Sequence, residues 1–363
     1  MLSTANDGMP LVSHTICVAP MLDWTDRHCR YFHRLLSPRA RLYSEMVTTG
    51  ALLHGDVDRH LRFDPAEHPV ALQLGGSDPD ALARCAALAS DYGYDEINLN
   101  CGCPSPRVQR GSFGACLMDE PALVRDCVIA MQAAAPSLLI TVKHRLGIDD
   151  VEDFAFAHRF VSVVQESGIG TFIVHARNAW LQGLSPKENR EVPPLRHDWV
   201  RRLKLEFPTL RFVINGGIAT AEAIRHQLTQ VDGVMIGREA YHHPYALALW
   251  DAEFLAPGRD GESLPTLPAR ADIVHAMTEY AHRELAVNGV PLRSISRHML
   301  GLYNGLPGAR AFRRALSDSA TLSRVGPDLL LQALQHVERA EDDGETPVSA
   351  DGDARQYAVS LDD

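Results

Sequence analysis

No stretch of this chain approaches the ~18 uninterrupted apolar residues that a membrane span requires. Nor does the N-terminus, polar from Met1 to His14, carry the basic segment and apolar run of a secretory leader. A cytoplasmic protein is expected. Cysteine is sparse and odd in number: Cys17, Cys29, Cys85, Cys101, Cys103, Cys116 and Cys127 are scattered over 363 residues, which is no disulfide framework. Reduced thiols are expected. Cys101-x-Cys103 has no second pair of matching spacing nearby, which argues against zinc, and no metal site is expected. No Gly-x-Gly-x-x-Gly follows the first apolar run, so the fingerprint of a dinucleotide-binding doubly wound sheet is missing.

Positive charge is also in deficit, with a formal net charge of -11. That balance at first argues against a nucleic-acid partner, because phosphate needs local cations. The acidity, however, is concentrated. Glu341 to Asp363 hold eight acids against one arginine, whereas Arg270 to Arg314 hold seven arginines against three acids, a net of +4. A basic patch therefore precedes an acidic tail, and a solvated helix face is its plain alternative.

What is present is a regular alternation, and 45% apolar residues are ample for a soluble core. Short apolar runs, read as strands, lie at Ile16–Pro20, Leu42–Val47, Val70–Leu74, around Ile97 and Leu99, and at Leu138–Lys143, Thr171–His175, Leu210–Asn215 and Asp232–Gly237. Helical spacing falls between most of them, with Asp78-Pro79 and Glu120-Pro121 as start signals. Eight strands with helices between them in about 240 residues predict a (β/α)8 barrel. The segment from Arg177 to Pro208 is unusually long for a connection, which marks it as functional or disordered. The expected organisation is a flexible N-terminus over 1–14, a barrel over 15–255, a linker over 256–268, a smaller all-helical domain over 269–340, and a disordered acidic tail over 341–363.

In such a barrel the C-terminal strand ends face one site. Those ends are Pro20-Met21, Glu45-Met46, Gln73, Asn100 with Cys103, Lys143, His175 with Arg177, Asn215-Gly216-Gly217 and Gly237-Arg238. The glycines after the last two strands leave backbone N–H groups free for a phosphate, and Arg238 adds a cation. A tight turn would also explain a Gly-Gly pair.

The fourth strand delivers Asn98-Leu-Asn-Cys-Gly-Cys-Pro-Ser105, followed by Val108, Gly111 and Gly114-Ala-Cys-Leu-Met118. By itself the loop reads as a catalytic cysteine, a metal ligand, or a turn with a buried thiol, and Gly111 and Gly114 are read as allowing backbone to approach a ligand. The stretch closely resembles the signature of the tRNA-dihydrouridine synthases, subfamily A. The resemblance runs from about Val18 to Leu316 and implies that the cysteine of Gly-Cys-Pro, Cys103, is the proton donor; Cys101 receives no role.

It implies FMN as cofactor, held by Pro20, Met21, Leu22, Gln73, Lys143, His175, Asn215, Gly216, Gly217, Gly237 and Arg238, and NADPH as reductant. The partner implied is tRNA, with no membrane, DNA or protein partner. The resemblance implies that hydride adds at C6 of a D-loop uridine, at positions 20 and 20a, and a proton is then needed at C5. An ordinary thiol, with pKa about 8.5, still holds a proton at neutral pH and can act as the acid. The base must leave the stack to reach a barrel mouth. Asn100 is a candidate to bind it, and Lys187, Arg190 and Arg297 are candidates to grip the tRNA, with Arg310, Arg313 and Arg314 as further phosphate contacts. Two rivals share these features in part: a flavin barrel acting on a free pyrimidine, like the dihydroorotate dehydrogenases, and a non-catalytic tRNA-binding protein.

Overall fold

The computed structural model describes residues 13–151, 153–256 and 266–342. Most of the N-terminal segment expected to be flexible, most of the linker and almost all of the acidic tail lie outside the described residues. The chain divides into two compact units, Met1–Arg30 with Arg39–Gly237, and Tyr31–Pro38 with Arg238–Asp363.

The first unit runs β1 (Ile16–Val18), the start of α1 (Arg27–Leu36), β2 (Leu42–Thr48), α2 (Thr49–His54), α3 (Val57–Leu61), β3 (Val70–Gly75), α4 (Pro79–Asp91) and β4 (Glu96–Cys101). It continues through α5 (Pro106–Arg110), α6 (Pro121–Ala134), β5 (Leu139–His144), α7 (Phe154–Val164), β6 (Thr171–His175), α8 (His197–Glu206), β7 (Arg211–Asn215), α9 (Ala221–Leu228) and β8 (Gly233–Ile236). All strand pairs are parallel, in the order β1-β8-β7-β6-β5-β4-β3-β2. Arg41, just ahead of β2, closes the ring: its carbonyl accepts from Val18 N at 2.9 Å and its N–H donates to Ile16 O at 3.0 Å. This is the expected (β/α)8 barrel. Side chains alternate across each strand, and the inward set includes Cys17, Ala19, Tyr43, Ala71, Ile173, Val213 and Met235, a buried cluster.

Both start signals mark helix starts: Asp78 accepts from Ala81 N with Pro79 in the first turn of α4, and Pro121 opens α6, where Glu120 makes no side-chain cap. Thr220, not among those signals, accepts from Ala223 N to open α9. Two readings need correction. The long 177–208 segment is a loop only to Arg196, because α8 begins at His197 and buries Trp199, Val200 and Leu203. The β2–β3 connection, read without elements, holds α2 and α3, which are too short for periodicity to reveal but are capped by Thr48 and Asp56.

The second unit is helical: the latter part of α1, then α10 (Arg238–His242), α11 (Ala246–Trp250), α12 (Arg270–Asn288), α13 (Arg293–Ser296), α14 (Ala309–Ser317), α15 (Ser319–Val325) and α16 (Leu329–Asp342). Tyr31 of α1 stacks on Tyr280 of α12 with ring centroids 4.1 Å apart. Gly308, at φ +72°, permits α14 to start against α16, where a Cβ would lie 2.7 Å from His336 O. No helix among the described residues is long and apolar enough to cross a membrane.

Candidate active site

At the end of β4 the chain turns sharply, and Asn100 makes the turn. Its Oδ1 accepts from the N–H groups of Gly102 at 3.1 Å and Cys103 at 3.0 Å, the side-chain-to-backbone bonding that favours asparagine in turns. The Cys103 carbonyl then accepts from Ala115 N at 2.9 Å. A Cβ on Gly114 would sit 2.6 Å from that carbonyl oxygen, and one on Gly111 would sit 2.4 Å from the Phe113 ring. These glycines therefore make room for the loop's own backbone and for Phe113; the reading that they admit a ligand is not what their surroundings show.

The two thiols of the loop differ. Cys101 still belongs to β4 and is fully buried, and burial drives its pKa well up. Cys103 is half-buried. Alternation explains the contrast: Glu96, Asn98 and Asn100 share the inward face of β4, so Cys101 points outward to the helices, and only beyond the strand does a thiol reach the mouth.

Around Cys103 stands a set of cations. Lys143, half-buried on β5, has its pKa lowered to about 8 by burial, with Arg145 adding to the effect and Cys103 opposing it. Burial likewise lowers Arg145 to about 10; Cys103 opposes this, while Arg177 and Arg190 reinforce it. His175, at the end of β6, is held well below its usual value by burial first and then by Arg145, Lys143, Arg177 and Arg190. His175 is thus neutral at pH 7. The groups acting on these three are other cations and Cys103, so the mouth is an electropositive site suited to an anion.

Arg145 also locks loops together. Its Nε donates to Gly102 O at 3.1 Å, and its Nη1 donates to Asn178 O at 3.0 Å and Asn189 O at 2.8 Å. Gln109 adds a second tie, donating to Pro104 O and Leu181 O, both at 2.7 Å. The Cys103 loop and the 177–196 loop are therefore held as one layer.

Beyond β7, Gly216 has φ +113° and Gly217 φ +70°, conformations that favour glycine. A Cβ on Gly216 would lie 2.7 Å from the His175 ring, and one on Gly217 would lie 2.5 Å from Leu195. Asn215 Nδ2 donates to Met235 O at 2.8 Å, and the Gly216 carbonyl bonds His197 Nε2 at 2.8 Å. After β1, Met21 N donates to Thr25 Oγ1 at 2.9 Å, Pro20 is half-buried, and Leu22 is exposed. Gly237 ends the first unit, with Met21 Sδ and Ala19 Cβ in ordinary contact distance of the place of a Cβ.

The structure brings Gln73, Asn100, Cys103, Lys143, His175 and Arg190 into one neighbourhood of the barrel. Arg238 and Arg297 belong to the second unit: Arg238 opens α10, and Arg297 is exposed just after α13, its Nε donating to His298 Nε2 at 3.2 Å. Lys187 and Arg190 are exposed on the 177–196 loop, whose backbone Asn189 pins by bonding Trp180 N at 2.7 Å and Trp180 O at 2.9 Å.

A family model described as dihydrouridine synthase matches residues 17–340, which takes in the barrel and nearly all of the described helical unit. The chain belongs to the dihydrouridine synthase family. It is 55% identical over 335 residues to a tRNA-dihydrouridine(20/20a) synthase of Xanthomonas axonopodis pv. citri, covering 92% of this chain and 97% of that protein. Relatives of the same description in Shewanella oneidensis and Synechocystis sp. are each 52% identical, covering 96% and 93% of their lengths. The dihydrouridine synthases are flavin-dependent oxidoreductases, and this chain is an enzyme of that kind.

The site of this synthase suits the negative charge of a flavin cofactor: Lys143 lies in the field of Arg145, and Arg145 in that of Arg177 and Arg190. Two of its residues escaped sequence reasoning. Arg145 was legible, since it stands two residues after Lys143, just past the end of β5. Asn98 was not, because its importance depends on what lies opposite on β3 and β5.

Proposed function

We propose that this enzyme reduces uridine to 5,6-dihydrouridine in the D-loop of tRNA, at positions 20 and 20a, with FMN as cofactor and NADPH as reductant. The observation that carries the reading is Cys103: a half-buried thiol, held by Asn100 and Arg145 at the mouth of the barrel beside Lys143 and His175. Relatives described as tRNA-dihydrouridine(20/20a) synthases support the substrate and the two positions.

Gln73, Lys143, His175 and the segment Asn215 to Gly217 would hold the cofactor, with Pro20, Met21, Leu22 and Gly237 beside it and Arg238, next in the chain, meeting its phosphate. When bound, FMN would supply the hydride that adds at C6 of the base. Lys143 contributes positive charge where negative charge collects. With hydride at C6, the C5 position carries enolate character through conjugation with the C4 carbonyl. Cys103 delivers its thiol proton there, the S–H bond breaking as the C5–H bond forms, and water returns a proton to the sulfur. Lys187, Arg190 and Arg297 would contact tRNA phosphates while the uridine is extruded.

The test is anaerobic: reduce the purified protein with NADPH, add unmodified tRNA, and follow flavin reoxidation together with nucleoside analysis. Reoxidation with dihydrouridine formed supports the reading. A yellow protein reoxidised only by a free pyrimidine would replace it with a small-molecule reductase, and a colourless protein that FMN does not reconstitute would replace it with a tRNA-binding module. Cys103→Ala is expected to keep its flavin and lose turnover; uridine reduction at the parent's rate would remove the proton-donor assignment.

A further inference from the structure

Inside the barrel a buried carboxylate is connected to the Cys103 loop by hydrogen bonds that all run one way. Glu96 is fully buried and meets Arg41 Nη1 at 2.8 Å, His14 Nε2 at 2.9 Å and the Tyr43 hydroxyl at 2.9 Å. The Thr141 hydroxyl donates to Oε1, the oxygen that also accepts from Tyr43, while Arg41 and His14 share Oε2. Asn98 Nδ2 donates to Thr141 Oγ1 at 2.8 Å, Gln73 Nε2 to Asn98 Oδ1 at 2.8 Å, and Asn100 Nδ2 to Gln73 Oε1 at 2.9 Å. Asn100 Oδ1 then accepts from Gly102 N and Cys103 N.

Each link follows from the chemistry of the ends. A carboxylate only accepts, so Thr141 must donate its one proton to it and accept from the next group. Asn98 must therefore turn its NH2 toward Thr141 and its oxygen toward Gln73, and the same logic passes to Gln73 and Asn100. At the far end, two backbone N–H groups can only donate, which demands the same orientation of Asn100. Reversing any one amide would set donor against donor and acceptor against acceptor in a buried site, where unmade hydrogen bonds are costly. The chain runs from Glu96 to Asn100, four residue steps along β4 or about 13 Å.

We propose that Glu96, Thr141 and Asn98 are positioning residues for the reaction: from within the barrel they set the amide of Asn100, and so hold Gly102-Cys103 in the orientation that presents the Cys103 thiol to the substrate. Neither Glu96 nor Thr141 needs to touch the base to do this. The role rests on Cys103 being the proton donor, and the chain also orients Gln73 on the way.

Glu96→Gln would strand the buried Arg41, so Thr141 carries the test. Thr141→Val keeps the shape and cuts the chain while leaving Glu96 with Arg41, His14 and Tyr43; Thr141→Ser keeps the hydroxyl. In the full-length protein, backbone hydrogen exchange of the peptide containing Gly102 and Cys103 is expected to quicken about tenfold in Thr141→Val, the factor for one ordinary hydrogen bond. Exchange in α4 and α6 should stay as in the parent, and Thr141→Ser should match the parent throughout. With tRNA, Thr141→Val should lower kcat and leave KM unchanged. Parent-like exchange in Thr141→Val, equal acceleration in Thr141→Ser, or an unchanged kcat despite faster exchange would each overturn the proposal. If the parent reduces no uridine, the proposed function fails separately, and the exchange comparison still decides whether the chain holds the loop.

Discussion

Replacing Lys143 by methionine should make the protein without FMN more stable and the cofactor harder to bind. Burial and Arg145 lower Lys143 from 10.5 to about 8, so keeping it charged at pH 7 costs the folded state. The displacement converts to about 3 kcal/mol, and solvent reaching the half-buried side chain trims this to about 1–2 kcal/mol. Methionine keeps the unbranched apolar body and removes the charge, so the variant's melting temperature should rise by about 2–8 °C. The sign also shows in pH. The folded protein releases the proton near pH 8 while the unfolded chain holds it to 10.5, so the parent's stability should climb between those values and the variant's should not. FMN affinity should fall by about 10–100-fold, the loss of one interaction with a charged group. Thermal unfolding of the FMN-free protein across pH 7–11 and fluorescence titration with FMN measure both effects. A variant less stable than the parent, or one that binds FMN as tightly, would show that Lys143 is already satisfied within the protein and is not held ready for an anion.

Gly216→Ala should cost about 2–4 kcal/mol, read from the denaturant midpoint, because its Cβ would meet the His175 ring at 2.7 Å in a backbone at φ +113°; an unchanged midpoint would mean the turn is not strained against His175. Lys187→Ala and Arg190→Ala should each reduce the log–log salt slope of tRNA binding by about 1, and Lys187→Ala should leave reduction by NADPH unaltered. A parent-like slope would remove them as phosphate contacts. Glu96 responds in acid: burial would raise its pKa, but His14 and Arg41 outweigh it and hold it at about 2. Its contribution, on the order of 3 kcal/mol, is present above pH 4.5 and lost as pH falls toward 2. Acid unfolding of the parent should show that descent between pH 4.5 and 2, and a stability that stays level across this window would refute it.

Much of this protein is local information. Apolar runs of strand length, Pro79 and Pro121 at helix starts, and Gly168 closing the segment after α7 at φ +85° specify strands and helices from neighbours alone. The Cys-Gly-Cys-Pro loop was visible for the same reason, whereas the choice of Cys103 over Cys101 came from the family resemblance and not from the local pattern. What the sequence could not determine is what stands beside what. Arg41 closing the ring on Ile16 and Val18, α1 contributing to both compact units, and Arg145 binding two loops at once all join residues distant in the chain. The run from Glu96 to Cys103 is the clearest instance. Its members are ordinary residues on β3, β4 and β5, and they form a directed chain only because Gln73 lies opposite Asn98 and Asn98 opposite Thr141. Periodicity within a strand decides which face a side chain takes; the register between strands, set by the closing of the barrel, decides its partner.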